Sequence, residues 1–316
     1  MKRKENTLFV EKYRPTNMDT YIADDKTKQM FKEYIEKKEI PNLLLHGTPG
    51  CGKTTIAKIF AESISPNSYL YVNASDENTV GFVREQIMNF ISTVSFNGEL
   101  KIIILDEADF LSASAQAALK ATTEQFSDTV RFIFTCNNPE KIIDALQSRC
   151  HSYLLGSPSK KEIAKLVLDI LNTEKIQYEK TDVGNIIISF YPDIRKIIHC
   201  TQQYIINGKL VIDDDIINQH NYINNVIEIL SDRKKKSREK ITEIRTVFAN
   251  NYIREYSFLY RSLYDNMDKY VSGDKTVEVI CLISEAQYKD RIVKDKEINA
   301  AALIYSIANI IDRKVI

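Results

Sequence analysis

Short apolar runs alternate with stretches of helical spacing through the first half of the chain. Runs that are apolar at every position indicate buried strands, whereas apolar residues three and four positions apart indicate amphipathic helices. The predicted strands span residues 42–46, 69–73, 101–105, 130–135 and 153–155. The predicted helices span residues 26–38, 54–63, 80–96, 113–126 and 141–147. This order predicts an α/β fold with a parallel five-stranded sheet that is covered on both faces and binds ligand at the carboxyl ends of its strands.

The pattern becomes helical throughout after the stretch Gly156-Ser157-Pro158. Ser159 and Glu162 have the spacing of a capping box, which starts a helix. We therefore predict an α/β core followed by two helical domains, the second built from long amphipathic helices that are broken near Gly273. The predicted domains span residues 1–156, 157–220 and 221–316.

Two features of the last predicted domain suggest contacts with other molecules. Its apolar positions exceed what an isolated helical pair needs, so we expect this domain to mediate oligomer formation. They include Ile241, Ile244, Phe248, Leu259, Leu263 and residues 300–311. The basic run at residues 233–240 (RKKKSREK) is more simply a solvated helix face, and a phosphate-contacting patch is the alternative.

The loop after the first predicted strand has the pattern of a phosphate-binding loop. Residues 47–54 match G-x-x-x-x-G-K-[ST], whose glycines let successive backbone N–H groups point at phosphate oxygens. Lys53 would place its charge on the β- and γ-phosphates, and the Thr54 hydroxyl can bind Mg²⁺. The simpler alternative is a glycine turn that contains Lys-Thr by chance, but the complete pattern lies between a predicted strand and a predicted helix, where the helix N-terminus also attracts anions.

A strand that ends in adjacent acids supplies the second half of a nucleotide site. The predicted strand 101–105 is followed by Asp106, Glu107, Ala108 and Asp109. Asp106 would hold Mg²⁺ through water, and Glu107 would act as the general base that polarises the attacking water. The alternative is a solvated acidic turn, which is less compatible with the phosphate loop upstream.

The overall composition sets only broad limits on function. The 316 residues contain 43 Lys and Arg and 43 Asp and Glu, so the zero net charge neither favours nor excludes nucleic acid. The five cysteines are odd in number and widely spaced, which suggests reduced thiols in a cytoplasm. No apolar run is long enough to span a membrane, and the scattered histidines have no metal-ligand spacing.

Several short segments together resemble those of the AAA+ ATPases, specifically the small subunits of sliding-clamp loaders. The resemblance is to replication factor C small subunits and, in length and layout, to the small loader subunit of T-even bacteriophages. It covers residues 8–195 closely, and beyond them only the all-helical pattern agrees with the family's C-terminal collar. The matching segments are VEKYRP (10–15), HGTPGCGKTT (46–55), NASD (73–76), FVRE (82–85), LDEAD (105–109) and LQSRC (146–150), the last being the most specific.

The resemblance implies a set of residues that bind ATP and Mg²⁺. The mixed segment at residues 8–19 is either a docked arm or part of a ligand pocket, and the family pattern implies a pocket. The implied adenine-binding residues are Val10, Glu11, Lys12, Tyr13 and Ile22, and the implied phosphate-binding residues are Gly50, Cys51, Gly52, Lys53, Thr54 and Thr55. Thr54 and Asp106 would hold the metal ion.

The resemblance also implies residues that act on the γ-phosphate beside Lys53, Asp106 and Glu107. Asn137 would be the first sensor, with the adjacent Asn138 as the alternative, and Arg195 would be the second sensor, reaching from the helical lid. Arg149 would be an arginine finger that acts on the ATP of a neighbouring subunit. Without the resemblance, Arg149 and Arg195 would be interpreted as a salt-bridged loop residue and a surface charge.

The function implied is that of a DNA-stimulated ATPase subunit that opens a ring-shaped clamp and loads it at primer–template junctions. The expected partners are the other subunits of a pentameric hetero-oligomer, the clamp and the DNA backbone, with Arg84 and Lys120 as candidate phosphate contacts and no membrane. The expected location is the cytoplasm, that of the host for a viral protein, or the nucleus for a eukaryotic one.

Two rival functions and two departures from the family pattern accompany this expectation. Another AAA+ motor, such as a branch-migration helicase or an initiator, would need an appended DNA-binding domain, and a non-hydrolysing subunit would lack Lys53 or Glu107. Asn78 stands where eukaryotic loaders often carry a basic residue that responds to DNA, so such a switch is not expected here. The four-cysteine zinc insertion of bacterial loaders is also missing.

Overall fold

The computed structural model describes residues 8–75, 80–93, 100–212, 214–251, 253, 256–271, 273 and 275–313. The chain divides into two compact units, Met1–Val211 and Ile212–Ile316, which are called unit 1 and unit 2. The predicted boundary between residues 220 and 221 falls inside a helix, Asp214–Ser231, so the division after Val211 replaces it.

Unit 1 contains the predicted parallel sheet. Its strands are β1 (Leu43–His46), β2 (Tyr69–Asn73), β3 (Lys101–Asp106), β4 (Val130–Cys136) and β5 (His151–Leu154). They lie in the order β2-β3-β4-β1-β5, and every pair is parallel. The register sets Leu44 opposite Phe134 and Ser152, and Asn73 opposite Asp106. The carboxyl ends of β1, β3 and β4 therefore meet at one edge, where a doubly covered sheet binds ligands.

Helices cover this sheet and then form a helical lid at the end of unit 1. The first helix, α1 (Phe9–Lys12), packs against the lid. Around the sheet are α2 (Asp25–Lys37), α3 (Lys53–Ile64), α4 (Val80–Ser92), α5 (Ala113–Gln125) and α6 (Asp144–Gln147). The lid helices are α7 (Lys160–Thr173), α8 (Lys180–Phe190) and α9 (Ile194–Gln203). The capping box that starts α7 is confirmed, because Glu162 N donates to Ser159 Oγ and Ser159 N donates to Glu162 Oε2.

Two predicted elements of unit 1 are wrong, each for a local reason. The predicted helix 141–147 starts only at Asp144, because buried Gln116 bonds Lys141 O and Ile143 N and holds that backbone outside a helix. The end of the lid is not helical, since β6 (Ile205–Ile206) and β7 (Lys209–Leu210) form a hairpin. Its turn is Asn207-Gly208 with φ of 51° and 76°, the residues that a two-residue hairpin turn favours.

Unit 2 is a helical domain with its own core. Its helices are α10 (Asp214–Ser231), α11 (Ser237–Asn250), α12 (Ser257–Asp265), α13 (Lys275–Lys289) and α14 (Lys296–Asp312). The predicted break near Gly273, where φ is 68°, is confirmed. Ile244, Phe248, Leu259 and Leu263 are buried inside this core and Ile241 is partly buried. These residues are therefore not free to contact another subunit. The sequence-based prediction that they mediate oligomer formation is wrong for them.

A different set of apolar side chains is exposed on unit 2. On α13, α14 and their connection these are Val277, Ile280, Tyr288, Ile292, Ile298 and Tyr305, which we call the apolar stripe. On α13 the exposed residues Val277, Ile280 and Tyr288 are separated by three and eight positions, and on α14 Ile298 and Tyr305 are separated by seven. These intervals place each set on one face of its helix.

The basic run does not form a solvated helix face. Residues 233–236 lie in the turn before α11, and only residues 237–240 are helical. Lys240 is fully buried, with Nζ donating to Leu230 O at 3.1 Å and lying 3.6 Å from Asp312 Oδ1. The run is thus split between a basic turn and a buried structural lysine.

All five cysteines are free thiols, as the sequence predicts. Within the described residues, no helix is both long and apolar enough to cross a membrane, and no cluster of His, Cys, Asp and Glu has the arrangement of a metal site.

Candidate active site

A cavity lies at the carboxyl edge of the sheet and is closed on one side by the lid helix α9. Its wall includes the phosphate loop, the acids that follow β3, the end of β4 and apolar residues of the lid. The lining residues discussed below are Val10, Tyr13, Ile22, Gly50, Cys51, Gly52, Lys53, Thr54, Thr55, Asp106, Glu107, Thr135, Cys136, Asn137, Ile194, Arg195 and Ile198. The structure therefore brings most of the sequence-predicted residues into one site.

The phosphate loop adopts a conformation that requires glycine. Gly50 and Gly52 have φ of 76° and 96°, in the region that side chains with a Cβ rarely adopt. A Cβ on Gly50 would also lie 2.0 Å from Asp193 Oδ1, the carboxylate that caps α9. The loop therefore packs directly against the start of the lid helix, and Arg195, two residues after Asp193, lies on the cavity wall.

Lys53 is anchored by the loop and by Asn137. Its Nζ donates to Gly47 O and Thr48 O at 2.9 Å and to Asn137 Oδ1 at 2.8 Å. Asn138 instead donates N–H and Nδ2 to Asp109 Oδ2, both at 3.2 Å. Of the two asparagines that the sequence left open, Asn137 is the one beside the phosphate lysine, and Asn138 is tied to a buried acid.

Asp106 accepts hydrogen bonds from three hydroxyl groups in the cavity. Thr54 Oγ1 donates to its two oxygens at 2.8 and 3.0 Å, Tyr71 OH donates to Oδ2 at 2.7 Å, and Thr135 Oγ1 donates to Oδ1. Thr135 also accepts the Glu107 N–H at 3.1 Å, so it positions both acids. Burial and the bond to Asp106 raise the pKa of Tyr71, which keeps its hydroxyl a donor.

Sequence analysis missed Tyr71 and Thr135. Thr135 is a polar residue near the end of the mostly apolar strand β4, and Tyr71 lies on β2, the neighbour of β3 in the sheet. The polar residue in β4 is visible in the sequence. The position of Tyr71 beside Asp106 depends on strand order, which the sequence pattern does not specify.

Glu107 enters the cavity from a strained backbone. Its φ of 56° lies in the left-handed region, a conformation that costs about 1–3 kcal/mol in a residue other than glycine. The residue follows β3 directly and precedes a single 3₁₀ turn at Ala108–Phe110. The strained turn places Glu107 in the lining of the cavity.

The N-terminal segment forms one end of the cavity. Val10, Tyr13 and Ile22 line it, but Glu11 pairs with Arg14 and Lys12 pairs with Glu174, so both of these charged residues lie outside the lining. The prediction that Glu11 and Lys12 face the ligand is therefore corrected, because α1 turns its charged face outward. Phe9 N donates to Gln202 Oε1 at 2.8 Å, so the segment is both a docked arm and a pocket wall.

Arg149 lies outside the cavity of its own chain. It pairs with Glu124, and its Nη1 donates to Ala145 O at 2.7 Å. About one third of its side chain is exposed. The neighbouring Cys150 is partly buried, and desolvation raises the pKa of its thiol to about 12.

Burial also affects two groups around the phosphate loop. It lowers the pKa of His46, with a further contribution from the charge of Lys53, so this imidazole is held neutral. It raises the pKa of the Cys136 thiol to about 12, so Cys136 is a packing residue and not a nucleophile.

The chemistry of the lining fits a nucleotide with a hard divalent cation. A hydroxyl and a carboxylate at 2.8 Å, Thr54 and Asp106, are oxygen ligands of the kind that Mg²⁺ prefers. Lys53 and the glycine loop suit phosphates, while Val10, Ile194 and Ile198 offer apolar surface to a base.

Comparison with known proteins supports this assignment. The profile of the ATPase family associated with various cellular activities (AAA) matches residues 43–156. The chain is 38% identical over 218 residues to the replication factor C small subunit of Archaeoglobus fulgidus, covering 67% of this chain and 68% of that protein. It is 30% identical over 318 residues to the replication factor C small subunit of Sulfurisphaera tokodaii, covering 98% and 97%. The match to the replication factor C small subunit of Methanococcus vannielii, at 37% identity, spans 63% of that protein.

Among solved structures, Thermotoga maritima RuvB is similar in fold. The TM-score is 0.55 at 15% identity, covering 82% of this chain and 89% of that one. At this identity the likeness concerns the fold alone.

The first testable prediction concerns Lys53. Lys53→Ala should abolish tight ATP binding, because it removes the one cation held inside the phosphate loop. Isothermal titration with ATP measures this, and Lys165→Ala, which removes an exposed lysine of α7, is the matched control and should bind normally. Unchanged affinity in Lys53→Ala would show that Lys53 does not contact the phosphates.

Proposed function

Because the chain belongs to the replication factor C small-subunit family, we propose that it works in DNA replication as the ATP-hydrolysing subunit of a sliding-clamp loader. The observation that carries this proposal is the convergence of the phosphate loop, the Asp106–Glu107 pair and Arg195 of the lid on one cavity. A branch-migration motor is not favoured, since the likeness to RuvB is limited to the fold.

ATP is proposed to bind with its base between the N-terminal segment and the lid. Val10, Tyr13 and Ile22 would contact the adenine, and the phosphates would lie on residues 50–55. Mg²⁺ would be held by Thr54 directly and by Asp106 through water, and it would neutralise charge on the β- and γ-phosphates. Lys53 donates all three of its ammonium hydrogens to protein oxygens, so a phosphate oxygen must replace at least one of these acceptors.

Hydrolysis is proposed to depend on residues fixed by these contacts. Glu107 would take a proton from the attacking water. Asn137, which is bonded to Lys53, would lie next to the γ-phosphate, and Arg195 would add a second positive charge from the lid. Thr135 would fix the positions of Asp106 and Glu107 relative to each other, since it is hydrogen-bonded to both.

A further cation is proposed to come from a neighbouring subunit. Arg149 lies outside its own cavity but is partly exposed, as a residue that acts on another chain must be. Its ion pair with Glu124 would have to open in the assembly. Because this pair is exposed, its loss costs little, about 0–1 kcal/mol.

The remaining partners are proposed from the family. They are the other subunits of a pentameric hetero-oligomer, a ring-shaped clamp and primer–template DNA, in the cytoplasm or the nucleus. Lys120, which is half-buried on α5, is a candidate phosphate contact. Asn78 and the side chain of Arg84, the other candidate, lie outside the described residues.

The second prediction tests the general base. Glu107→Gln keeps the size of the side chain but cannot accept the proton, so it should bind ATP and hydrolyse it about a hundredfold or more slowly. Single-turnover kinetics with separate measurement of ATP affinity checks this. Glu140→Gln, a change at an exposed acid, is the control and should leave the rate unaltered. Normal turnover in Glu107→Gln would remove this residue from the mechanism.

The third prediction tests the shared site through Arg149. Arg149→Ala should leave ATP binding nearly intact but reduce hydrolysis by the assembled complex by roughly 10³-fold or more. Glu124→Gln breaks the same ion pair without removing the arginine, so its hydrolysis should stay close to wild type.

Mixing the two defective subunits gives an independent check of Arg149. Assemblies of Arg149→Ala with Glu107→Gln subunits should regain some turnover, because some interfaces then pair an intact Glu107 with an intact Arg149. If Glu124→Gln is as defective as Arg149→Ala, the arginine has only a structural role.

The fourth prediction concerns the apolar stripe. We expect α13 and α14 to contact another subunit through it, so Ile292→Asp with Ile298→Asp should weaken assembly while the folded chain still binds ATP. Both side chains are 67–68% exposed, so the substitutions leave the core intact. Light scattering measures the assembly, and Lys294→Asp, at an exposed residue between them, is the control. Full assembly of the double variant would place the contacts elsewhere.

A further inference from the structure

The basic turn of unit 2 has no role in the ATPase site, yet it forms one wall of a second cavity. This cavity has a volume of about 540 Å³ and is called the basic pocket. Three separate segments contribute to it: the turn before α11, the chain before α13 and the end of α14. The lining residues are Arg233, Lys234, Lys235, Lys236, Tyr270, Val271, Lys275, Ile311 and Asp312.

Two of the five cations of the basic pocket are engaged by the protein itself. Lys235 Nζ lies 2.6 Å from Glu243 Oε2 and 4.0 Å from Asp232 Oδ2. Lys275 Nζ donates to Ile311 O at 3.0 Å and to Arg313 O at 2.5 Å, at the end of α14. These two side chains therefore build the wall of the pocket.

The other three cations, Arg233, Lys234 and Lys236, are exposed. No carboxylate in the part of the chain that the structure describes pairs with their side chains. Asp312, the acid in the lining, accepts from Ser237 N at 2.7 Å and Ser237 Oγ at 2.5 Å and lies 3.6 Å from the buried Lys240. The charge of Asp312 is thus balanced by Lys240 and Ser237, and the mouth of the pocket keeps an excess of positive charge.

Hydrogen bonds hold the backbone of the turn in place, so the main chain from which these side chains extend is fixed. Lys234 N donates to Asp232 Oδ1 at 2.9 Å and Lys236 N donates to Glu239 Oε2 at 3.2 Å. A rigid backbone lowers the entropy that would be lost when a ligand orders these side chains.

We propose that the basic pocket binds the phosphate backbone of nucleic acid. This proposal rests on the proposed function at DNA, and it adds a binding site that is remote in sequence from the ATPase residues. Three unpaired cations within four consecutive positions match a row of phosphates better than a single anion. At the start of α11 the N–H of Ser237 is already bonded to Asp312, so it cannot serve as a backbone donor to a lone phosphate.

The chemistry of the pocket also predicts that binding ignores base sequence. Tyr270, its aromatic residue, is 7% exposed and donates its hydroxyl to Leu263 O, so it offers no face on which a base could stack. Contacts limited to Lys and Arg with phosphates are sequence-independent and strongly dependent on salt.

The test measures DNA binding by the full chain without ATP and without clamp, as a function of salt. The variant Arg233→Gln/Lys234→Gln/Lys236→Gln removes the three free cations, and Lys289→Gln/Arg291→Gln/Lys294→Gln removes three exposed cations elsewhere in unit 2. By fluorescence anisotropy with a single-stranded oligonucleotide, the pocket variant should lose about 2 from the slope of log K against log salt. The control should keep the wild-type slope, and equal slopes in the two variants would overturn the proposal.

Lysine acetylation then locates the contact. Bound DNA should protect Lys234 and Lys236 from acetylation, but not Lys294. Protection by tripolyphosphate and not by DNA would mean that the pocket takes a small anion, which also overturns the proposal. The same protection is expected in Lys53→Ala, because the basic pocket needs no ATP. Failure of the proposed ATPase function would instead appear as lost ATP hydrolysis in the wild-type chain, with these DNA measurements unchanged.

Discussion

The buried carboxylate of Asp106 is the constraint on which the site depends. A charge with only 7% exposure is stable only if its oxygens are hydrogen-bonded, and three hydroxyls, from Thr54, Tyr71 and Thr135, provide those bonds. The three donors come from the first turn of α3, from β2 and from β4. The arrangement therefore ties the phosphate loop to two strands of the sheet, and Thr135 extends it to the backbone of Glu107.

The sequence pattern was sufficient for most elements of unit 1 because its central strands, β3, β4 and β1, are apolar at most positions. Strands β2 and β3 were predicted at the correct starting residues. The errors occurred where one side chain overrides local preference, as when Gln116 takes the backbone bonds around Ile142. The core of unit 2 was misjudged for another reason: apolar periodicity shows that Ile244 and Phe248 face something, but not whether that partner belongs to the same chain.

The site was predictable to the extent that its residues lie in contiguous patterns. The phosphate loop and the Asp106–Glu107 pair are such patterns, and both line the cavity. Tyr71 contributes through strand order, and the choice between Asn137 and Asn138 depends on which one reaches Lys53, so neither follows from spacing. Glu11 and Lys12 were assigned to the adenine pocket because the whole segment resembles the family. In the short helix α1 their side chains face outward and form ion pairs, whereas Val10 and Tyr13 line the cavity.

The two halves of the nucleotide site differ in how far they must rearrange to bind. The Thr54 hydroxyl donates its single hydrogen to Asp106, and this leaves its lone pairs available to a cation, so the proposed metal site needs no rearrangement of this pair. Lys53 uses all three hydrogens on Gly47, Thr48 and Asn137. A γ-phosphate that competes for this ammonium also changes the partner of Asn137, which follows β4 directly. In the proposed mechanism, the exchange at Lys53 would thus be a physical route by which occupancy of the phosphate loop changes the contacts of Asn137.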